Sequence, residues 1–245
     1  MTARRSRDDS TMAGAGASSH AVRLLGAAFL LQAIGSAVSG LVLAPVDLLL
    51  NSAPEDMATT MADIAANEGE LRASIVGEMI TAGGIVALGV MLFIVVRRHG
   101  QNIAAVALGL YVVEAALLAV REVLVFALWS TSEQAAIVPA TSDALTGQAT
   151  ALYESQAFAY SLHTLVFAAG ATIFYILLAR SDLLPRPLMV LGLIAAPLAL
   201  VSQVLVVFGV DVPLYLFLPN LPFELGAGLW LAFRARHRHV TVTTP

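Results

Sequence analysis

Six ionisable side chains stand inside otherwise apolar stretches of this 245-residue sequence: Glu78, Glu114, Arg121, Glu122, His163 and Glu224. A charge at the centre of a membrane helix costs on the order of 2.5–3.5 kcal/mol by insertion measurements, so such groups face a bundle interior and find partners there. Carboxyls and an imidazole can hold and pass protons, and a guanidinium can anchor an anion or a carboxylate. Glu114 and Arg121, seven residues apart, fall roughly 20° from one helix face, whereas Glu122 is turned about 100° from its neighbour. That helix presents charge on two sides and must be surrounded. Tyr153, Gln156, Tyr160 and His163 follow at steps of three and four, one polar stripe on an apolar helix. Two readings are open. The stripe is the wall of a water-filled cavity open outward, with Arg121 as anion anchor and His163 and a Glu handling protons. Alternatively, Arg121 bridges Glu122 or Glu114, His163 completes the network, and the charges only fix helix packing. Four carboxyls against one guanidinium and one imidazole leave acid in surplus, so at least one carboxyl is expected to keep its proton, Glu224 or Glu114 being deepest.

Other chemistries drop out on residue types. The sequence has no Cys, and its thirteen basic residues are all Arg, which removes thiolate nucleophiles, Cys-ligated metals, a Walker lysine and lysine Schiff bases. There is no HExxH, GxSxG or GxxxxGK. His20, His99, His237 and His239 lie in tails or the Arg-rich inner loop, and without an ExxH pair a metal site at His163 is disfavoured. No catalytic residue, metal or cofactor is assigned. A net charge of −4 lacks the basic field of a nucleic-acid binder.

The elements that must position these groups follow from composition. The chain is 58% hydrophobic and 12% charged, about half the usual charged share. So much apolar surface needs an apolar solvent, the lipid bilayer. Continuous Leu/Ala/Val runs of about 20 residues predict helices and not a barrel. The expected fold is an all-α integral membrane bundle of six transmembrane helices, with spans at about 24–44, 75–96, 103–128, 156–178, 187–208 and 214–233, forming one domain over 23–233. Eleven of the thirteen arginines fall before span one, between spans two and three, between four and five, or after span six. The alternate connections hold only Arg72 yet carry ten acids, among them Asp56, Glu68, Glu133 and Asp211. By the positive-inside rule both termini are cytoplasmic. Residues 1–22 are expected to be a disordered cytoplasmic tail and 234–245 a second tail. Span one is too long for a signal-peptide core and is read as uncleaved.

Met57 to Ser74 keeps near-helical apolar spacing and is expected as a helical lead-in. Trp129 to Ser155, rich in Ala, Thr and Ser, reads as a mobile loop. Counting inward from the exterior ends places Glu78 about 5 Å deep, Arg121, Glu122 and His163 about 10 Å, Glu224 about 15 Å and Glu114 about 21 Å. In span six, Pro219 and Pro222 precede Glu224. They predict either a helix broken beside a midplane acid, as in transporters, or a helix that simply starts late. Pro197 predicts a kink in span five.

The order of features is itself informative. Arg23-Leu24-Leu25-Gly26 opens span one, Leu71-Arg72 and Glu78 follow an acidic Ala-rich segment, and Val113-Glu114-Ala115 sits in span three. Leu184-Pro185-Arg186 precedes span five, and Glu224 lies in a short last span. Together these resemble the domain of unknown function 4386 family, multi-pass bacterial membrane proteins, over about Arg23 to Phe233; the resemblance implies no activity, substrate or cofactor. Glu114 and Glu224 fall in the third helix of each half, as an inverted-repeat transporter would place them. The leading expectation is a cell-membrane protein that binds or moves a small solute, with protons, through an outward-facing polar cavity; Glu78, Glu114, Arg121, Glu122, Tyr160, His163 and Glu224 are the candidate binding residues. The alternatives are a non-catalytic assembly or partner-docking module, and an intramembrane enzyme acting on a lipid. Beyond the lipid bilayer no partner is implied, and oligomeric state is open.

Overall fold

A computed structural model describes residues 19–42, 50, 56–138, 142–213 and 216–237. Among these the regular elements are all helical. In chain order they are α1 (Ser19–Val42), α2 (Met57–Ala66), α3 (Glu68–Val96), a 3-10 turn (Arg97–His99), α4 (Gln101–Ile137), α5 (Ser142–Ala179), α6 (Arg186–Val207) and α7 (Asn220–His237). Four helices, α3 with its turn, α4, α5 and α6, are long and apolar enough to cross a membrane, and His20–Gly35 within α1 is a shorter apolar helix. Large apolar side chains such as Val76, Ile80, Val123, Ile194 and Val201 are exposed on the outer faces, as lipid requires and water does not.

Local chemistry sets the helix ends. Asp56 caps α2: its carboxylate accepts from the Thr59 hydroxyl at 2.6 Å and from the backbone N–H groups of Ala58 and Thr59 at 3.2 Å. These bonds, the Thr59 hydroxyl first, hold its carboxyl below the ordinary range. α6 ends in a Schellman turn. Gly209, at φ 78, donates to the Val206 carbonyl, and Val210 donates to Leu205.

Glycines let the helices approach. A Cβ on Gly26 would lie 2.5 Å from the Ala232 backbone nitrogen, which makes α1 and α7 a near-contact pair of backbones. Tyr111 of α4 is wedged between Gly89 of α3 and Gly170 of α5, each 2.9 Å from it if given a Cβ. The main core gathers around this wedge, with Phe29, Leu92, Phe174, Tyr175 and Phe223. A second core at the other end joins Leu50, Met61, Ile64, Leu71, Leu128, Trp129 and Tyr153. At 37 and 38 residues, α4 and α5 run about 55–57 Å, nearly twice a hydrocarbon core of about 30 Å. Short turns at residues 97–100 and 180–185 hold one end, so the surplus length lies at the other, where α2 and the second core sit.

Several expectations change in detail. The stretch read as a loop from Trp129 to Ser155 is helix up to Ile137 and again from Ser142, with 139–141 outside the described residues. Its hydroxyls are absorbed by the backbone: Thr131, Ser132, Thr150 and Ser155 each donate to the carbonyl four residues back. The lead-in before span two is helical, as α2 and the first turns of α3. α6 continues through Pro197. The last helix starts at Asn220, so Pro222 sits in its first turn, where a missing N–H costs nothing, and the late start replaces the break. Of the expected tails, 1–22 and 234–245, residues 19–22 and 234–237 are helical, as extensions of α1 and α7, and the rest, with residues 214–215 of the expected sixth span, lie outside the described residues.

Candidate functional site

The register of α7 on α6 fixes how deep its acid lies. Gly192 abuts the Phe223 ring, Gly226 abuts Leu188, and the Trp230 indole donates to the Leu183 carbonyl at 3.1 Å. These pairs run antiparallel, so Asn220 begins α7 opposite roughly residue 195 of α6, leaving about 17 Å of α6 beyond it. α7 is thus a part-length helix whose first turn buries Asn220 and Phe223 and leaves Leu221 and Pro222 exposed. Glu224 stands near that turn and is partly exposed.

The candidate residues sort into two sets. In the first, Arg121 of α4 is 3% exposed. Its Nε donates to Gln156 Oε1 of α5 at 3.1 Å and its Nη1 to Glu122 Oε1 at 3.0 Å. Although their Cβ atoms diverge, the long Arg chain curls back to reach its neighbour. The guanidinium lies 4.9 Å from the centre of the Tyr160 ring. Gln156, fully buried, passes the network on by donating to the Leu50 carbonyl at 2.6 Å. Glu78 of α3 acts electrostatically on Glu122 from the side and remains partly exposed. No buried side-chain nitrogen or oxygen of Arg121, Glu122 or Gln156 lacks a partner, and the set ties α4, α5 and the segment at Leu50 together.

The second set is deeper and unsatisfied. Glu114 is 2% exposed and its Oε2 has no hydrogen-bond partner. It interacts electrostatically with Glu224 across the bundle. The Tyr111 and Tyr175 hydroxyls are buried and lie within electrostatic reach of both acids; Tyr111 lacks a partner, whereas the Tyr175 hydroxyl pairs with Glu224. A buried polar atom without a partner costs about 1–3 kcal/mol, so Glu114 Oε2 and the Tyr111 hydroxyl require a reason.

His163 stands between the sets. Its ring stacks on Tyr160 at 5.6 Å, and Nδ1 is 3.2 Å from the Glu114 backbone carbonyl. A carbonyl oxygen only accepts, so Nδ1 carries the hydrogen of this bond. His163 is partly exposed, as are its neighbours from Ser161 to Phe167. Arg121, Glu122, Gln156 and Tyr160 therefore come together with Glu78 at their edge, and Glu114 lies within electrostatic reach of Glu224; Arg121 and Glu224 do not meet. Among the described residues no three His, Asp or Glu side chains are arranged to hold a metal ion.

Tyr111 and Tyr175 were not evident as candidates. Tyr111 lies three residues before Glu114 and so on its face, a usable signal. Tyr175, four residues from the end of α5, reads from sequence as an interfacial aromatic, and only its reach toward Glu224 distinguishes it.

No curated protein and no solved structure matches this chain at a significant level. Residues 24–235, nearly all of the helical part, match a family described as Domain of unknown function (DUF4386), and the chain belongs to that family.

Proposed function

We propose that the chain crosses the cell membrane six times, through α1 and α3 to α7 with both termini cytoplasmic, and that it binds or moves a small solute together with protons. The path is an outward-facing polar cavity above the part-length α7, with Glu114 and Glu224 at its floor and His163 on its wall. One observation carries this reading: Glu114 is 2% exposed with Oε2 left without a donor, and a second acid, Glu224, lies within electrostatic reach of it. Two bare carboxylates so placed would be uncompensated, so a proton or a positively charged or donor-bearing solute must accompany them. Partial exposure of Glu78, His163 and Glu224 is compatible with access from outside the bundle, and a part-length helix beside an acid is the arrangement used at transporter midplane sites.

The assembly reading has its own support in the Arg121 network, whose donors and acceptors are matched. We assign that network to holding the helices together and the Glu114–Glu224 site to binding. The test is decay of an imposed pH gradient in proteoliposomes holding an internal pH dye. The wild type is expected to collapse the gradient at least tenfold faster than Glu114→Gln or Glu224→Gln variants that purify as folded protein. Equal rates for wild type, both variants and empty vesicles sink the reading.

A further inference from the structure

The arginines differ in what holds them. Arg72 is paired with Glu68 at 2.8 Å and Arg121 with Glu122 at 3.0 Å. Arg23, Arg97, Arg180 and Arg186 are exposed, and among the described residues no ion pair or hydrogen bond holds their side chains. Arg98 is exposed too, its Nε 3.2 Å from His99 Nε2. These five stand at one end of the bundle. Arg97 and Arg98 lie in the turn between α3 and α4, Arg180 and Arg186 flank the turn between α5 and α6, and Arg23 lies in the first turns of α1. Asp182 is the one acid at that end among the described residues, and neither α4 nor α6 carries an acid in its first turn.

The fold sets the two turns side by side. A Cβ on Gly100 would lie 3.2 Å from Leu177 Cδ2, so the first turn rests on the end of α5, from which Arg180 follows. Packed helices lie about 8–10 Å apart, and that is the scale separating the two arginine pairs. In the second turn the Ser181 hydroxyl donates to the Leu178 carbonyl at 2.6 Å, Leu184 is buried in the main core, and the exposed Trp230 indole is tied to Leu183. Arg180 and Arg186 are left on its rim. A tryptophan so placed belongs at the headgroup level of a bilayer. Within one or two turns along the same helices Ile94, Ile103, Val106, Ile176 and Val190 are exposed apolar side chains.

We propose that these two turns seat the headgroup of a phospholipid bearing two phosphates, Arg97 and Arg98 holding one and Arg180 and Arg186 the other, with its acyl chains along the exposed apolar flanks. The seat rests on the membrane crossing proposed above and not on the solute path. Guanidinium groups bind phosphate oxygens by charge-assisted, often paired hydrogen bonds, and basic pockets between helices on the cytoplasmic side take such headgroups. A soluble phosphate would leave the apolar flanks unused. A zwitterionic lipid would bring an ammonium beside guanidinium groups that lack a counter-charge.

The test is native mass spectrometry and thermal unfolding of the full chain in detergent micelles with added ligand. Cardiolipin should be retained at one per chain and raise the unfolding temperature. Phosphatidylglycerol at equal phosphate should be held about tenfold more weakly, since its second phosphate contact is not intramolecular. Phosphatidylcholine and soluble pyrophosphate should have no effect. Each arginine near an anionic surface contributes about fivefold in affinity, so neutralising either pair, Arg97→Gln with Arg98→Gln or Arg180→Gln with Arg186→Gln, should weaken cardiolipin about 25-fold. Arg72→Gln, at the opposite end, should leave it unchanged. The replaced side chains are exposed, so the lipid-free variants should unfold as the wild type does; if one fails to fold, the ranking of the four ligands on the wild type decides. Equal retention of cardiolipin and phosphatidylglycerol, equal binding of pyrophosphate, or wild-type binding by both double variants overturns the proposal. Proton flux that depends on Glu114 and Glu224 without a cardiolipin preference removes the seat alone, and a cardiolipin preference without such flux leaves the seat and removes the solute path.

Discussion

The Arg121–Glu122 pair gives the sharpest energetic test, because its proposed role is to hold helices together and not to bind ligand. Glu122→Leu leaves a guanidinium that is 3% exposed with its Gln156 bond and the Tyr160 ring but without its counter-charge. Removing one partner of a buried pair costs about 3–5 kcal/mol, and this case belongs near the lower figure because two contacts survive. Arg121→Leu is expected to be worse, about 4–5 kcal/mol, since it strands the Glu122 carboxylate and also frees Gln156 Oε1. The double variant removes both charges and loses only the Gln156 bond and the ring contact, about 1–2 kcal/mol. It should therefore be more stable than either single variant, with a coupling of at least about 2 kcal/mol. The assay is reversible unfolding in mixed micelles, followed by Trp129 fluorescence and by loss of helical circular dichroism. If the double variant is as unstable as the sum of the singles, the two residues do not stabilise through each other. If all three match wild type, the network does not hold the fold at all.

Three further outcomes follow from the geometry. Gly26→Leu drives a side chain into the α7 backbone at Ala232 and Gly228 and should cost about 3 kcal/mol or more, whereas the same change at Gly35, where nothing lies within 4 Å, should leave the unfolding midpoint unaltered. The Asp56 cap binds through its carboxylate, so its support of α2 is present above the unfolded carboxyl pKa and fades as pH falls through the lower folded value. Amide exchange in α2 should speed up under acid in wild type and be fast at every pH in Asp56→Ala. Because the chain has no cysteine, single cysteines report topology cleanly. An impermeant maleimide should label Gly209→Cys on intact cells and label Ser181→Cys only after lysis, and the reverse pattern would invert the proposed orientation.

How far the sequence reaches depends on which solvent each segment meets. Apolar runs located α1, α3, α4, α5 and α6, because lipid imposes the same demand on every lipid-facing turn and the demand is visible in composition. Helix ends were less legible. Ala, Thr, Ser and Gln between Trp129 and Ser155 are polar enough to leave the bilayer and still helix-compatible once hydroxyls bond back to the i−4 carbonyls, so leaving the membrane and ending the helix are separate events. The prolines before Glu224 specify a local irregularity but not its sense, since Pro breaks a helix interior and suits a first turn equally. Among the site residues, Glu114, Arg121 and His163 announced themselves by chemical type. Their grouping did not, because the Arg chain is long enough to reverse the 100° between Arg121 and Glu122, and because the depth of Glu224 is set by where α7 starts.

The same distinction separates the two polar sets physically. A network whose role is packing gains by pairing each donor with an acceptor, since a half-satisfied buried network is worse than an apolar one. Arg121, Glu122, Gln156 and the Leu50 carbonyl meet that condition. Glu114 and Tyr111 do not, although they lie in the most tightly fitted part of the bundle, where Gly89 and Gly170 close on Tyr111. Phenylalanine at 111 would keep the ring and remove an orphaned hydroxyl. If packing alone set this residue, the substitution should raise stability by about 1–3 kcal/mol for the desolvated hydroxyl relieved and leave proton flux as it was. If the hydroxyl serves the proposed path, the same variant should become more stable and lose flux together. Greater stability with unchanged flux would remove Tyr111 from the site and return it to packing.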